Sequence, residues 1–300
     1  MQIERLRGKF RQRMYPPVVT KDPTAVEVEV QAAHLAIFPG DDKAVVPQAF
    51  GWVIACFTGN YKDYQKVDAP YHDLEHTLQA TLCMARLLRG RHLAGAHPQL
   101  TPPLFRLGLL AILLHDSGYL KKREDTQGTG AKYTVTHVDR SADFAAELLG
   151  EKGFGPQEIL AVQNMIHCTD LDSALTAIPF QSDLERTVGF TLGTADLLGQ
   201  MAARDYVDKL PILYAEFAEA AEYSKEETHF VATYSGATDL MRKTPAFWKT
   251  FVRSKLDWDF GRLYRFLNDP YPEGPNEYIE RIEANMDRLH APEGGQHLIR

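Results

Sequence analysis

LGLLAILLHDSGY, residues Leu107–Tyr119, is an apolar run that closes on the adjacent pair His115-Asp116. From Leu104 to His115 the stretch is apolar nearly all the way round a helix, and such a helix belongs in a protein interior. Its end then places an imidazole and a carboxylate side by side where water is scarce. Burying that pair is costly unless something there uses both groups. A divalent metal does, because it accepts neutral imidazole nitrogen and carboxylate oxygen in one shell.

Reading outward from this helix, Tyr71–Leu88 carries Leu74, Leu78, Leu82, Ala85 and Leu88, a stripe of helical period. Arg89–Pro103 and Lys121–Tyr133 read as loops. Thr136 is placed to N-cap a helix that continues through Leu149 and stops at Gly150. Pro156 suits the first turn of the next helix, which runs to Cys168. Ser182 and Glu185 form a capping-box pattern opening a helix that passes Asp196 and reaches Arg204. Pro211 starts or interrupts an acidic helix ending at Tyr223. Toward the N-terminus, Ala25–Ile37 reads as helix rather than strand, Val46–Gly59 is a further apolar segment, and residues 1–24 form a basic, proline-bearing arm. Beyond Thr244, AFWKTFVRSKLDWDFGRLYRFL reads as an amphipathic packing helix, Asn268–Asn276 as a Pro/Gly loop, and the last few residues as frayed. Only six residues follow a strand period, so the expectation is an all-α helical bundle with additional N- and C-terminal helices. Residues 61–240 would form the metal-binding helical domain, with 1–60 and 241–300 as helical extensions.

With 44% hydrophobic residues among 300, the chain can bury a sizeable core. Its net charge of −7 argues against a nucleic-acid polymer or an anionic membrane as partner. A small anionic substrate stays open, because a bound cation inverts the local field. The three cysteines, Cys56, Cys83 and Cys168, form no CxxC and no even framework, which points to a reducing, cytoplasmic setting. MQIERLRGKF is charged rather than signal-like, and no run of apolar residues is long enough to span a bilayer.

The remaining candidate ligands each sit on a different helix or helix end. YHDLEH presents His72 and His76 four residues apart, one turn on a helix face. His137 falls at one helix start and His167 in the last turn of another. Asp196 interrupts the apolar FTLGTADLLGQ, where an ionised carboxylate needs a cation or strong donors; Glu185 and Arg204 read as surface charges by comparison. Ligands on successive helices converging inward are how all-α folds build metal sites. Six nitrogen and oxygen ligands suit two hard or borderline divalent ions, iron, manganese, magnesium or zinc, with Asp116 placed to bridge them.

The ordered set His76, His115-Asp116, His137, His167, Asp196 resembles the HD-domain superfamily of metal-dependent phosphohydrolases across Tyr71–Leu213. The resemblance implies an HD-type bundle with one metal on His76, His115, Asp116 and Asp196 and a second on Asp116, His137 and His167. YHDLEH is similar to the first metal motif of cyclic-nucleotide phosphodiesterases, which makes His72 the general acid toward the leaving oxygen. Ser117-Gly118-Tyr119 stands where the class I members of that branch carry a further histidine, and the GYP signature of the cyclic-dinucleotide branch is absent. The expected activity is therefore a two-metal phosphohydrolase or phosphodiesterase acting on a nucleotide or cyclic nucleotide. Catalysis would fall to His72 and Asp116, and phosphate binding to Lys121, Lys122 and Arg140, with Lys132 and Arg204 as further cations and Tyr119 and Tyr133 as pocket residues. The same ligand set also occurs in mixed-valent di-iron oxygenases, and a silent ligand-binding scaffold is the remaining alternative. A homodimer is compatible with all three. His34, His92, His97, His229, His290 and His297 read as surface or packing residues, and Gln200 and Met201 as core.

Overall fold

The computed structural model describes residues 17–171, 174–224 and 233–290. Most of the N-terminal arm, His229, His297 and the C-terminal end therefore lie outside the described residues. Ten α-helices are present among those described: α1 Pro23–Ile37, α2 Val45–Phe57, α3 Leu74–Leu93, α4 Pro102–Leu114, α5 His137–Glu151, α6 Pro156–Ile166, α7 Asp183–Met201, α8 Tyr206–Tyr223, α9 Ala237–Phe247 and α10 Glu277–His290. Pairing between extended segments is limited, among the described residues, to isolated bridges at Thr58–Lys66, Tyr64–Lys122 and Asn268–Asn276. The fold is all-α.

α4 is the axis. Nine of its residues, from Phe105 to Leu114, are buried, as its all-round apolar character demands. α3, α6 and α7 pack around it, α2 covers another side, and α5 touches it directly while packing mainly on α6. α1 lies on α3, while α10 closes against α7 and α9. Buried side chains from Val26 to Met286 form one continuous hydrophobic cluster.

Several local readings need correction. α3 begins at Leu74, because the Asp73 carboxylate accepts the His76 amide at 2.9 Å and caps the helix there. His72 thus precedes the helix and does not share a helical face with His76. At its other end α3 runs on to Leu93, shortening the loop that follows. The buried Arg91 guanidinium donates to the Pro98 carbonyl at 2.5 Å and ties that extension down. α8 starts at Tyr206, with Pro211 inside it. Glu185 is buried: beyond its amide bond to the capping Ser182, its carboxylate accepts from Asn164 Nδ2 and the Gln181 amide, joining α6 to α7. The segment after α9 continues through two wider π-helical turns, Trp248–Val252 and Lys255–Asp259. His34 is a packing residue, stacked on Phe105 with its Nε2 2.9 Å from the Asp41 carboxylate.

Candidate metal centre

α3, α4 and α7 bring His76, the His115-Asp116 pair and Asp196 to one point in the interior. His76 Nε2 lies 3.2 Å from both Asp116 Oδ2 and Asp196 Oδ1. His115 Nε2 lies 3.2 Å from Asp116 Oδ2 and 3.5 Å from Asp196 Oδ1. Two ligands at about 2.1 Å on neighbouring positions of an octahedral cation stand about 3 Å apart, so the donor spacing is that of a coordination shell. His115 Nε2 and Asp116 Oδ2 are buried without a hydrogen-bond partner. Orphaned buried groups of this kind call for an explanation, and a cation at the point where these donors converge supplies one. His76, His115 and Asp116 by themselves offer three ligand atoms within 4.8 Å of one another.

The backbone orients these rings. His115 Nδ1 donates to the Ile112 carbonyl at 2.6 Å, and His137 Nδ1 to the Thr134 carbonyl at 2.6 Å. Each bond fixes the tautomer and leaves the Nε2 lone pair for the cluster. Asp196 is steered by Gln200, whose amide donates to Asp196 Oδ1 at 3.3 Å while its oxygen accepts the Tyr71 hydroxyl at 2.9 Å.

Charge in the cluster is arranged around the two carboxylates. Burial disfavours the His76 cation, but the Asp116 and Asp196 carboxylates outweigh it and raise its pKa to about 10. His115 is also raised, against the same penalty. Asp116 and Asp196 are held below the usual carboxylate range; burial opposes this, and the facing imidazoles prevail. Protons on histidine thus occupy the electrostatic role that a metal ion would fill.

The other candidates are placed less uniformly. His137 Nε2 is 4.0 Å from Asp116 Oδ1, the oxygen turned away from His76 and His115, so Asp116 lies between the two groups. Burial lowers the His137 pKa, with Asp116 acting in the opposite direction. His167 caps the end of α6, and its Nδ1 stands 3.8 Å from the Asp139 carboxylate rather than joining the cluster. The three expected phosphate-binding cations are engaged elsewhere. Lys121 pairs with Asp68 at 2.9 Å and donates to the Gly128 carbonyl at 2.5 Å. Lys122 pairs with Asp63 at 2.9 Å. Arg140 donates to the Gly118 and Leu120 carbonyls and lies 3.5 Å over the Tyr133 ring. A loop with this many backbone carbonyls consumes its own cations. Lys132 pairs with Asp125, and Arg204 is exposed.

One residue escaped the sequence reading. Glu216 of α8 is buried, and its Oε2 sits 2.5 Å from His72 Nδ1. Its Oε1 accepts the Tyr71 amide at 2.7 Å and the His72 amide at 3.3 Å. Burial raises the Glu216 pKa, but His72 and these amides lower it overall. An ionised carboxylate only accepts, so Nδ1 carries the proton and Nε2 is the nitrogen left for chemistry. The His72 ring lies flat on Tyr119, centroids 4.5 Å apart and planes at 6°. Glu216 was visible in principle: it falls three residues after Leu213 and four before Ala220, an acid on an apolar stripe.

His72, His137, Asp196 and Gln200 line one side of a cavity of about 380 Å³ between α5, α7, α8 and α9. A family model described as Npun_R2479-like matches residues 50–260, a span that holds the cluster, the His72–Glu216 pair and the cavity. No curated protein matches the chain.

Proposed function

The chain belongs to the Npun_R2479-like family, and from its site we propose that it is a metal-dependent phosphohydrolase acting on a small phosphoester. The observation that carries this reading is a juxtaposition: a buried His/Asp cluster reaches, through Asp196, the same cavity that a carboxylate-held histidine lines. The likeness to HD-domain phosphohydrolases, carried by the same residues, agrees with it.

His76, His115, Asp116 and Asp196 would hold one divalent cation, and Asp116 with His137 a second; His167 would complete that second set only by turning from Asp139. Bound there, such cations supply a water nucleophile of lowered pKa and offset the charge on phosphoryl oxygens. The chain's own groups do the rest. Glu216 holds His72 through Nδ1, so a protonated His72 offers its Nε2 proton to the departing ester oxygen. Tyr119 stacks on both His72 and His137, centroids 4.5 and 4.8 Å away, and limits how far either ring turns. Gln200 keeps Asp196 aimed at the cluster.

The test is elemental analysis of protein purified without chelator, paired with hydrolysis of p-nitrophenyl phosphate and its bis ester under added manganese, magnesium, zinc or ferrous iron. One to two ions per chain and metal-dependent turnover are the expected result. A mixed-valent di-iron spectrum with no phosphoester turnover would shift the chemistry to oxygen activation. No metal after reconstitution would leave a binding scaffold.

A further inference from the structure

Much of the rest of the cavity lining is apolar: Leu197 of α7, Leu210, Leu213 and Phe217 of α8, Tyr234, and Phe247 of α9. Among the described residues, neither lysine nor arginine lines the cavity. The charged side chains that do, apart from Asp196, are Asp139 and Asp170, both acidic. Polar groups in the lining are committed: Gln200 bonds Tyr71 and Asp196, and the Thr134, Thr169 and Thr244 hydroxyls donate to the Ala131, Ile166 and Leu240 carbonyls.

From this we propose that the substrate is the phosphate monoester of a predominantly apolar alcohol, alkyl or aryl, rather than a nucleotide; this rests on the phosphohydrolase reading. A single phosphoryl group can be matched by cations at the cluster. Each further phosphate would have to shed its water against hydrocarbon and aspartate, with no lysine or arginine among the described lining residues to repay it. A nucleobase edge meets the same difficulty, since buried donors and acceptors need partners and this apolar lining offers little beyond tyrosine hydroxyls. Leu, Phe and Tyr side chains reward contact with hydrocarbon or an aromatic face instead. The volume of about 380 Å³ lies within the range of small-molecule sites. In the reaction, a water oxygen forms a bond to phosphorus and the ester P–O bond breaks. The departing oxygen takes the His72 proton and leaves as the neutral alcohol, and the proton from water restores His72 or goes to solvent.

The experiment compares kcat/KM for octyl phosphate, 1-naphthyl phosphate, AMP, ADP and cyclic AMP on the metal-loaded full chain. It also measures binding of 1-naphthol and octanol, which carry no phosphate, to the chain with and without metal. At least about a tenfold preference for one apolar ester over every nucleotide is expected, from the difference a few buried methylenes make. The octyl and naphthyl arms distinguish an alkyl from an aryl source. Leu213→Lys, at a half-buried position, is expected to weaken binding of the preferred alcohol about tenfold and to narrow the preference, with metal content unchanged. Preference for a nucleotide, or no measurable alcohol binding, overturns the proposal while leaving the phosphohydrolase intact. Alcohol binding that Leu213→Lys weakens, with no ester hydrolysed under any metal, overturns the phosphohydrolase reading and the ester with it.

Discussion

Glu216 and His76 carry the residue-scale argument, each through a carboxylate–imidazole contact that does a different job. Glu216 makes three contacts with the Tyr71-His72 segment, which precedes the helix that carries the ligand His76. Glu216→Gln preserves shape but gives His72 Nδ1 a choice of partner atoms, so the ring is no longer held with Nδ1 as donor and Nε2 toward the cavity. Turnover on esters with poor leaving groups is expected to fall about 10²-fold or more, in line with loss of an oriented general acid. Metal content should stay at the wild-type value and activated p-nitrophenyl esters should lose less; loss of metal in this variant would place His72 among the ligands. His76 sets the pH behaviour of the metal-free chain. Its pKa rises from the ordinary 6.5 to about 10, so its contribution to stability is complete below pH 6.5 and is lost progressively as pH climbs through about 10. The depressed Asp116 and Asp196 act on the other side: their contribution is present above their ordinary carboxylate pKa and is lost as pH falls. A divalent cation binds neutral imidazole and replaces what the His76 proton supplied. The rise in Tm on adding manganese is therefore expected to be larger at pH 9 than at pH 6, and a smaller rise at pH 9 would contradict this arrangement of charge.

At the scale of elements, the site depends on how closely segments approach. The turn Ser117–Tyr119 after α4 packs against the first turn of α5, and a Cβ on Gly118 would stand 2.0 Å from the His137 carbonyl oxygen. Gly118 also donates its amide to Ser141 Oγ at 2.8 Å. Glycine is needed here for space, because this contact sets the 4.0 Å approach of His137 to Asp116. Gly118→Ala is expected to destabilise the chain by about 1–3 kcal/mol, the usual range for overpacking, and to lower metal occupancy at the His137 side first. A thermal melt and elemental analysis on the same sample check both. Gly199 serves α3 and α7 similarly, where an added Cβ would meet the Ala80 backbone nitrogen at 2.8 Å. α8 packs along the turn Gly130–Tyr133 and is clasped to the site by side chains: Glu216 holds Tyr71 and His72, Glu219 holds the Thr129 hydroxyl at 2.6 Å, and Lys209 pairs with Glu75 at 2.9 Å.

For the whole molecule, the cluster draws ligands from α3, the end of α4 and α7, three elements of one continuous core. Metal binding and global folding are thus linked, and a cation at a hundred times its Kd should stabilise the native state by about 2.7 kcal/mol. In a chain of this size that corresponds to roughly 5 °C in Tm. Chelation should lower the transition by that order, and addition of manganese should restore it; an unchanged Tm would mean that the cluster holds no ion under those conditions. No helix among the described residues is long and apolar enough to cross a membrane. What the sequence determined by itself was whatever depends on local pattern. The apolar circumference of Leu104–His115 required burial, helical periodicity and caps placed most helices, and Asp196 on an apolar run required a cation or strong donors. The same apolar run named His115 and Asp116 at its end, while His76 was named by its spacing from His72 in YHDLEH and by the family likeness. Tertiary structure decided what depends on partners distant in the chain. Lys121, Lys122 and Arg140 were taken up by carboxylates, carbonyls and a ring that no spacing rule connects to them. His167 turned toward Asp139, and Glu216 reached His72 across 144 residues. The apolar part of the cavity lining likewise exists only where α7, α8 and α9 contribute to one cavity, because an apolar stripe looks the same in sequence whether it is covered by another helix or left facing a cavity.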